Sequence, residues 1–323
     1  MAFIGRRQVL IGAASAWLGA HAGTGTAFPT KRMTIVVPFS PGSATDLIAR
    51  VVGQGVTEQT GQPVVVDNRP GGSGSIGATA VARAPADGYT LLVTTNTTQA
   101  GNLHMFKRLP YDPVKDFAPI TLLGRGEQIM VVAAASPYRS IGDVVAAARQ
   151  TPGKLSFGAG SLNPRIAGEM FQQATGTQML YVPYKGNPEV VTDLLGGRVD
   201  TAILDAPTVL PHFRAGTLRA LGSSGTNRFA LLPDVPTIAE SGLPGFDISF
   251  WFGAYAPAGT PADIVQRLHD LLVQATKAAP ARELYAKSSI LPLTSTPTEL
   301  ARFQEREAAK WGEVIRKARI EPE

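Results

Sequence analysis

The chain has 323 residues, 44% of them hydrophobic, enough for one large or two medium domains with real cores. It contains no cysteine, so disulfide staples are excluded and stability must come from those cores. The formal charge is +5, and loss of Arg6 and Arg7 with an N-terminal segment leaves +3, spread without a Lys/Arg block. That balance speaks against nucleic acid as a partner and is compatible with an anionic small ligand.

In residues 1–27, Arg6 and Arg7 precede an apolar stretch from Val9 to Leu18, and Ala20-His21-Ala22 has the small-x-small form of a signal-peptidase site. The apolar run is shorter than the roughly 20 residues a membrane span needs. The segment therefore reads as a cleaved export signal. GRRQVLIG resembles a twin-arginine signal without the usual flanking Ser and Phe, so the Tat and Sec routes both stay open, and the mature protein is expected in the periplasm.

From Thr34 onward short apolar runs alternate with amphipathic segments. Residues 34–38, 63–67, 89–94 and 129–134 predict strands, and 45–59, 76–83 and 141–150 predict helices. Strands at 155–158, 179–183, 201–204 and 218–221, with helices at 165–174 and 188–196, repeat the arrangement. This alternation predicts an α/β protein with two open sheets and right-handed crossovers, the chain crossing between them near residues 119–127 and 245–255. Beyond Pro261 the chain is helical, with apolar residues at 264, 265, 268, 271 and 272, and a Thr cap followed by Glu299 opens a last helix over 297–317. These helices have no sheet of their own and are expected to pack on the first. Domain 1 is then discontinuous, 28–125 with 249–323, around domain 2 at 126–248.

Two strand-to-helix loops carry the chemistry. In VVPFSPGSATD the chain turns through Phe39 to Ala44 and starts a helix at Thr45 or Asp46, leaving backbone N–H groups unpaired. The small residues Gly42, Ser43 and Ala44 let a ligand approach the backbone, and Ser43 and Thr45 add hydroxyls; the alternative is an ordinary capped turn. FGAGSLNPRIAGEMF repeats the arrangement through Gly158, Ala159, Gly160 and Ser161 to Asn163 and Pro164. Arg165 lies in that helix's first turn, where a cation is unfavourable without an anionic partner, so it either meets a ligand carboxylate or lies solvated outside. Thr95, Asn96 and Thr97 follow the third strand and either complete a polar site or cap the next helix. Asp205, at another strand end, either binds a ligand's amino or hydroxyl group or caps the turn before Pro207. Phe39, Phe157 and Trp251 either flank an aromatic ligand or belong to the core.

Two motifs are rejected. Gly72, Gly74 and Gly77 spell GxGxxG, but four residues separate them from the strand and no acidic residue follows at the next strand end, so no dinucleotide cofactor is expected. GGSGS around Ser73 lacks the last glycine of a hydrolase elbow. His104, His212 and His269 have neither catalytic nor zinc spacing, so no metal is expected.

The blocks VPFSPGSATD, VVDNRPGGSGSIGATAVARAPADGYTLL, YDPVKDFAPI, VPYKGNPEVVTDLLGGRVD, RAGTLRALG and APAGTPADIV together resemble the Bug family, the extracytoplasmic solute receptors of tripartite tricarboxylate transport systems. The likeness covers about Met33 to Lys317. It implies a two-domain periplasmic binding protein, a type II-like Venus flytrap with a mixed sheet flanked by helices in each domain. It also implies capture of a di-, tri- or aromatic carboxylate and delivery to membrane permease subunits. The family's PFxPGGxxD loop matches Pro38 to Asp46, with Ser43 in place of its second glycine; Thr94 to Thr97 and Asp205 match positions that face the family's cleft. The second loop is about two residues shorter than the family's, with Arg165 at or near its usual His. The expected protein is a monomeric receptor without catalytic turnover; a sensor signalling to a membrane kinase and a hydrolase using Ser73 are the alternatives.

Overall fold

The computed structural model describes residues 1–2, 28–288, 290–317 and 320–322. The segment read as an export signal lies, from residue 3 to residue 27, outside the described residues. The chain runs β1 (Met33–Val37), α1 (Ala44–Thr60), β2 (Val64–Asn68), α2 (Ser75–Ala82), β3 (Thr90–Thr95), β4 (Phe117–Ala133), α3 (Ile141–Gln150), β5 (Ser156–Ala159), α4 (Leu162–Thr175) and β6 (Leu180–Pro183). It continues through α5 (Asn187–Leu195), β7 (Ala202–Asp205), α6 (Ala206–Arg214), β8 (Leu218–Ser223), β9 (Ser249–Pro257), α7 (Ala262–Lys277), α8 (Ala279–Ser288) and α9 (Pro297–Lys317).

The sheet order of the first lobe is β2-β1-β3-β9-β4, parallel from β2 to β3 and antiparallel from β3 to β4. The expectation of two separate sheets needs one correction. β4 is 17 residues long and belongs to both: its first part pairs with β9, and its second part lies between β7 and β8 in the other lobe. β5 and β6 form a parallel pair tied to that lobe's sheet by a bridge between Phe157 and Thr201.

Period-two alternation sends the strand side chains into different cores. On β1, Met33, Ile35 and Val37 enter a core under α1 and α7, while Val36 faces the opposite one; on β3, Leu91 and Val93 are divided from Leu92 in the same way. On β4 the parity slips. Ile120 and Leu123 share a core although three residues apart, because the β4–β9 ladder shifts register between Pro119 and Thr121 and again between Leu122 and Gly124. A third core, with Ile129 and Val131 of β4, lies under α5 and α6. α7 packs on α1, and α9 packs on β4 and on the turn after β3.

The rejected glycine motif has a packing role. A Cβ on Gly77 would lie 2.8 Å from Pro38, and one on Gly74 would lie 2.7 Å from Thr98. These glycines let α2 approach the end of β1 and the turn after β3.

Candidate functional site

The site begins where β1 ends. Ser43 is the N-cap of α1, its hydroxyl accepting the Asp46 N–H at 3.3 Å, and Gly42 takes φ +79, which favours glycine. Asp46 braces this loop from below. One carboxylate oxygen accepts from the Gly42 N–H and from Arg50 Nε, each at 2.9 Å, and the other accepts from Asn68 Nδ2 at 3.0 Å. Burial alone would raise its pKa, but the bonds from Arg50, Gly42 and Asn68 outweigh burial and hold the carboxyl below its ordinary value.

Three further helices begin opposite. Ser161 caps α4 in extended conformation with no side-chain cap bond, leaving its hydroxyl outside the helix. Gly160 rests against the start of α5: an added Cβ would lie 2.0 Å from the Gly186 carbonyl carbon, so only glycine fits. The same Asn-Pro pair opens both helices, Asn163-Pro164 in α4 and Asn187-Pro188 in α5, with proline where a missing N–H costs nothing. The Gly160 N–H donates to Asn187 Oδ1 at 3.2 Å, which turns Asn187 Nδ2 toward Asp205 Oδ2 at 2.8 Å. Asp205 stands before α6 without making a side-chain cap bond. Burial pushes its pKa up to about 6 against the opposing pull of the Asn187 and Gln128 amides and its own N–H.

These helix starts line one pocket: Phe39, Ser43, Thr45 and Thr95 from the chain after β1 and the end of β3, and Gly160, Ser161, Asn163, Asn187 and Asp205 from the starts of α4, α5 and α6. The starts of α1, α4, α5 and α6 all reach it, so the positive ends of four helix dipoles converge where no Lys or Arg side chain lines the wall. The cavity is about 20 Å³, room for about one water.

Of the other residues expected at the site, Gly42 and Ala44 shape the first loop, Asp46 braces it, and Ala159 is buried at the end of β5. Asn96 pairs with Asn163 across the lobes, each amide donating to the other at 2.7 and 2.9 Å, and its oxygen also accepts from the Trp251 N–H at 3.4 Å. Thr97 opens the tight turn Thr97–Gly101, its N–H donating to Thr95 Oγ1 at 3.2 Å. Arg165 stacks over Tyr181, 5.0 Å from the ring centroid, away from the pocket wall. Trp251 is core, donating from Nε1 to Glu307 at 3.0 Å, and Phe157 packs on Gly168. Asn187 was missed from the sequence; its signal was KGNP, a strand-to-helix turn with the same Asn-Pro as the loop before it. A second bond also ties the lobes: Ser40 Oγ donates to Glu189 Oε1 at 2.6 Å.

The histidines among the described residues lie elsewhere. His104 bonds the Ala308 carbonyl at 2.8 Å, His212 approaches Thr217, and His269 pairs with Asp270. Among the described residues no group of three or more His, Cys, Asp and Glu side chains is placed to hold a metal, and no helix is long and apolar enough to cross a membrane.

Comparison with known proteins bears on this geometry. The family model described as the tripartite tricarboxylate transporter family receptor matches residues 48–320. BugT of Bordetella pertussis is 35% identical over 292 residues, covering 90% of each chain. A Rhodopseudomonas palustris protein solved with adipate superposes with TM-score 0.88 at 35% identity, covering 92% of this chain and all of its own. MatC of the same species, solved with bound malate, superposes with TM-score 0.84 at 29% identity, covering 89% of this chain and all of its own.

Proposed function

The chain belongs to the tripartite tricarboxylate transporter receptor family, and from that premise we propose that it is a periplasmic receptor that captures a small carboxylate between its lobes and presents it to membrane permease subunits. The members and structural neighbours of that family are solute-binding receptors, not enzymes. The observation that carries the reading is the convergence of four helix N-termini on a pocket without a cationic wall. Such a site neutralises a carboxylate through backbone N–H groups, hydroxyls and dipoles, and so is not tied to one acid by a dedicated salt bridge. The adipate and malate of the two neighbours support the ligand class.

In this reading residues 28–125 and 249–323 form one domain, 126–248 form the other, and β4 and β9 are the crossings. A cavity of about 20 Å³ admits no dicarboxylate, so the ligand enters by parting the lobes and its contacts with both then stabilise the closed form.

Calorimetric titration with adipate, malate and a panel of other mono-, di- and tricarboxylates tests this. At least one acid is expected to bind, and Ser43→Asp is expected to weaken it at least about tenfold by placing a like charge at the α1 start. Asp is itself a good N-cap, so the fold should keep its stability. Absence of binding by every acid would overturn the reading, and unchanged affinity in the variant would remove this loop from the site.

A further inference from the structure

Among the described residues Asp205 is the one ionisable side chain on the pocket wall. It stands at the start of α6 yet caps nothing there. Its one hydrogen-bonded side-chain partner of good geometry among the described residues is Asn187 Nδ2, at 2.8 Å. A carboxylate has about four acceptor sites. The groups acting on its ionisation are the Asn187 and Gln128 amides and its own N–H, all uncharged. Gln128, opposite Asp205 in the β4–β7 ladder and fully buried, has both amide atoms without a hydrogen-bond partner among the described residues. The pocket therefore combines an anion-attracting set of helix ends with one carboxylate that has no cationic partner on the wall.

We infer that the ligand for which this site is built carries, besides its carboxylate, a hydrogen-bond donor, a hydroxyl or an ammonium group, which Asp205 receives. The inference rests on the carboxylate-receptor reading above. A ligand bearing only carboxylates would bring its charge beside that of Asp205 with no donor to offset it. A hydroxyl can donate to the Asp205 carboxylate, and an ammonium group also supplies the countercharge that the wall lacks. Sites built to bond a donor discriminate strongly against the analogue that lacks it, because a buried polar group is then left unpaired.

The test is calorimetric titration of the purified receptor, near neutral pH, with two matched series: succinate, malate and aspartate, then adipate and 2-aminoadipate. In at least one series the donor-bearing acid is expected to bind at least about tenfold more tightly than the plain diacid, and Asp205→Asn is expected to cut that preference below about threefold. Malate against aspartate separates the hydroxyl from the ammonium group. If the plain diacid binds as tightly in both series, or the variant keeps the preference, the inference is overturned while the carboxylate reading stands. If no carboxylate binds, that reading fails and takes the inference with it. The wild-type comparison decides the matter even if the variant does not fold.

Discussion

Asp46 and Asp205 hold corresponding places, each at a helix start after a strand, and their surroundings drive their acidities apart. Asp46 is buried among an arginine, an N–H and an amide that favour its charge, so it stabilises the fold above its ordinary titration range and loses that effect as pH falls through its lowered pKa. Asp205 runs the other way. Below about pH 4 both folded and unfolded chains hold its proton; between there and about 6 only the folded chain does, and above that neither. Stability from this group therefore falls as pH rises through that window. Asp205→Asn is expected to melt above the wild type near pH 7.5, with the advantage shrinking toward pH 4. Thermal melts at the two ends of the range check this; an equal difference at both would show that Asp205 is not held in the protonated form.

At the scale of elements, the start of α5 is also the seat of an interlobe contact. Ser40 Oγ meets Glu189 in its first turn, and an added Cβ on Gly186 would lie 2.7 Å from that same hydroxyl oxygen, so the first loop rests directly on this helix. Hydrogen bonds to charged groups are each worth about 1.5–3 kcal/mol. Ser40→Ala, which removes that hydroxyl while leaving the loop's backbone bond from the Ser43 N–H to the Ser40 carbonyl, should shift the ligand-free protein toward open forms and weaken binding on the order of tenfold. Small-angle scattering should then give a larger radius of gyration; an unchanged radius and affinity would mean the bond does not hold the lobes together.

These elements differed in how legible they were. Strands β1, β2, β3 and β5 to β8 and the strand-to-helix loops show in the sequence because apolar runs end in Gly, Ser, Asn or Pro at each turn. The first part of β4 was read as a crossing, since Pro119, Gly124 and Gly126 break the run. Gly126 lies under the Phe250 ring, where a Cβ would come within 2.4 Å, so the feature that hides the strand is what lets it pair. α6 escaped notice because Pro207 and Pro211 both fall within it, and α8, inside the stretch read as helical beyond Pro261, was not told apart from α7 because it follows with almost no break. At the site, the hydroxyls and glycines were legible as loop chemistry. Where Arg165 points was not, because the ring of Tyr181 that it stacks on comes from β6 and is brought there only by the fold.

For the whole molecule, β4 and β9 do more than connect. One cluster of buried residues includes Val36 and Tyr255 of the first lobe and Ile203 and Phe246 of the second. β9 fills the slot between β3 and β4, yet it is the last strand of that sheet to be synthesised. Until residue 257 has left the ribosome the strand that pairs with both β3 and β4 is missing, and at about 5–20 residues per second some seconds separate β4 from the strand that joins it. The first lobe's sheet can therefore be completed only after the strands of the second have been made. A chain ended at residue 248 should show no cooperative protection of the β1–β3 amides in hydrogen exchange, whereas the full chain should protect them together. Protection in the shortened chain would mean the first three strands fold without their centre. The strand that completes the sheet thus also sets the moment at which the protein ceases to be a flexible chain.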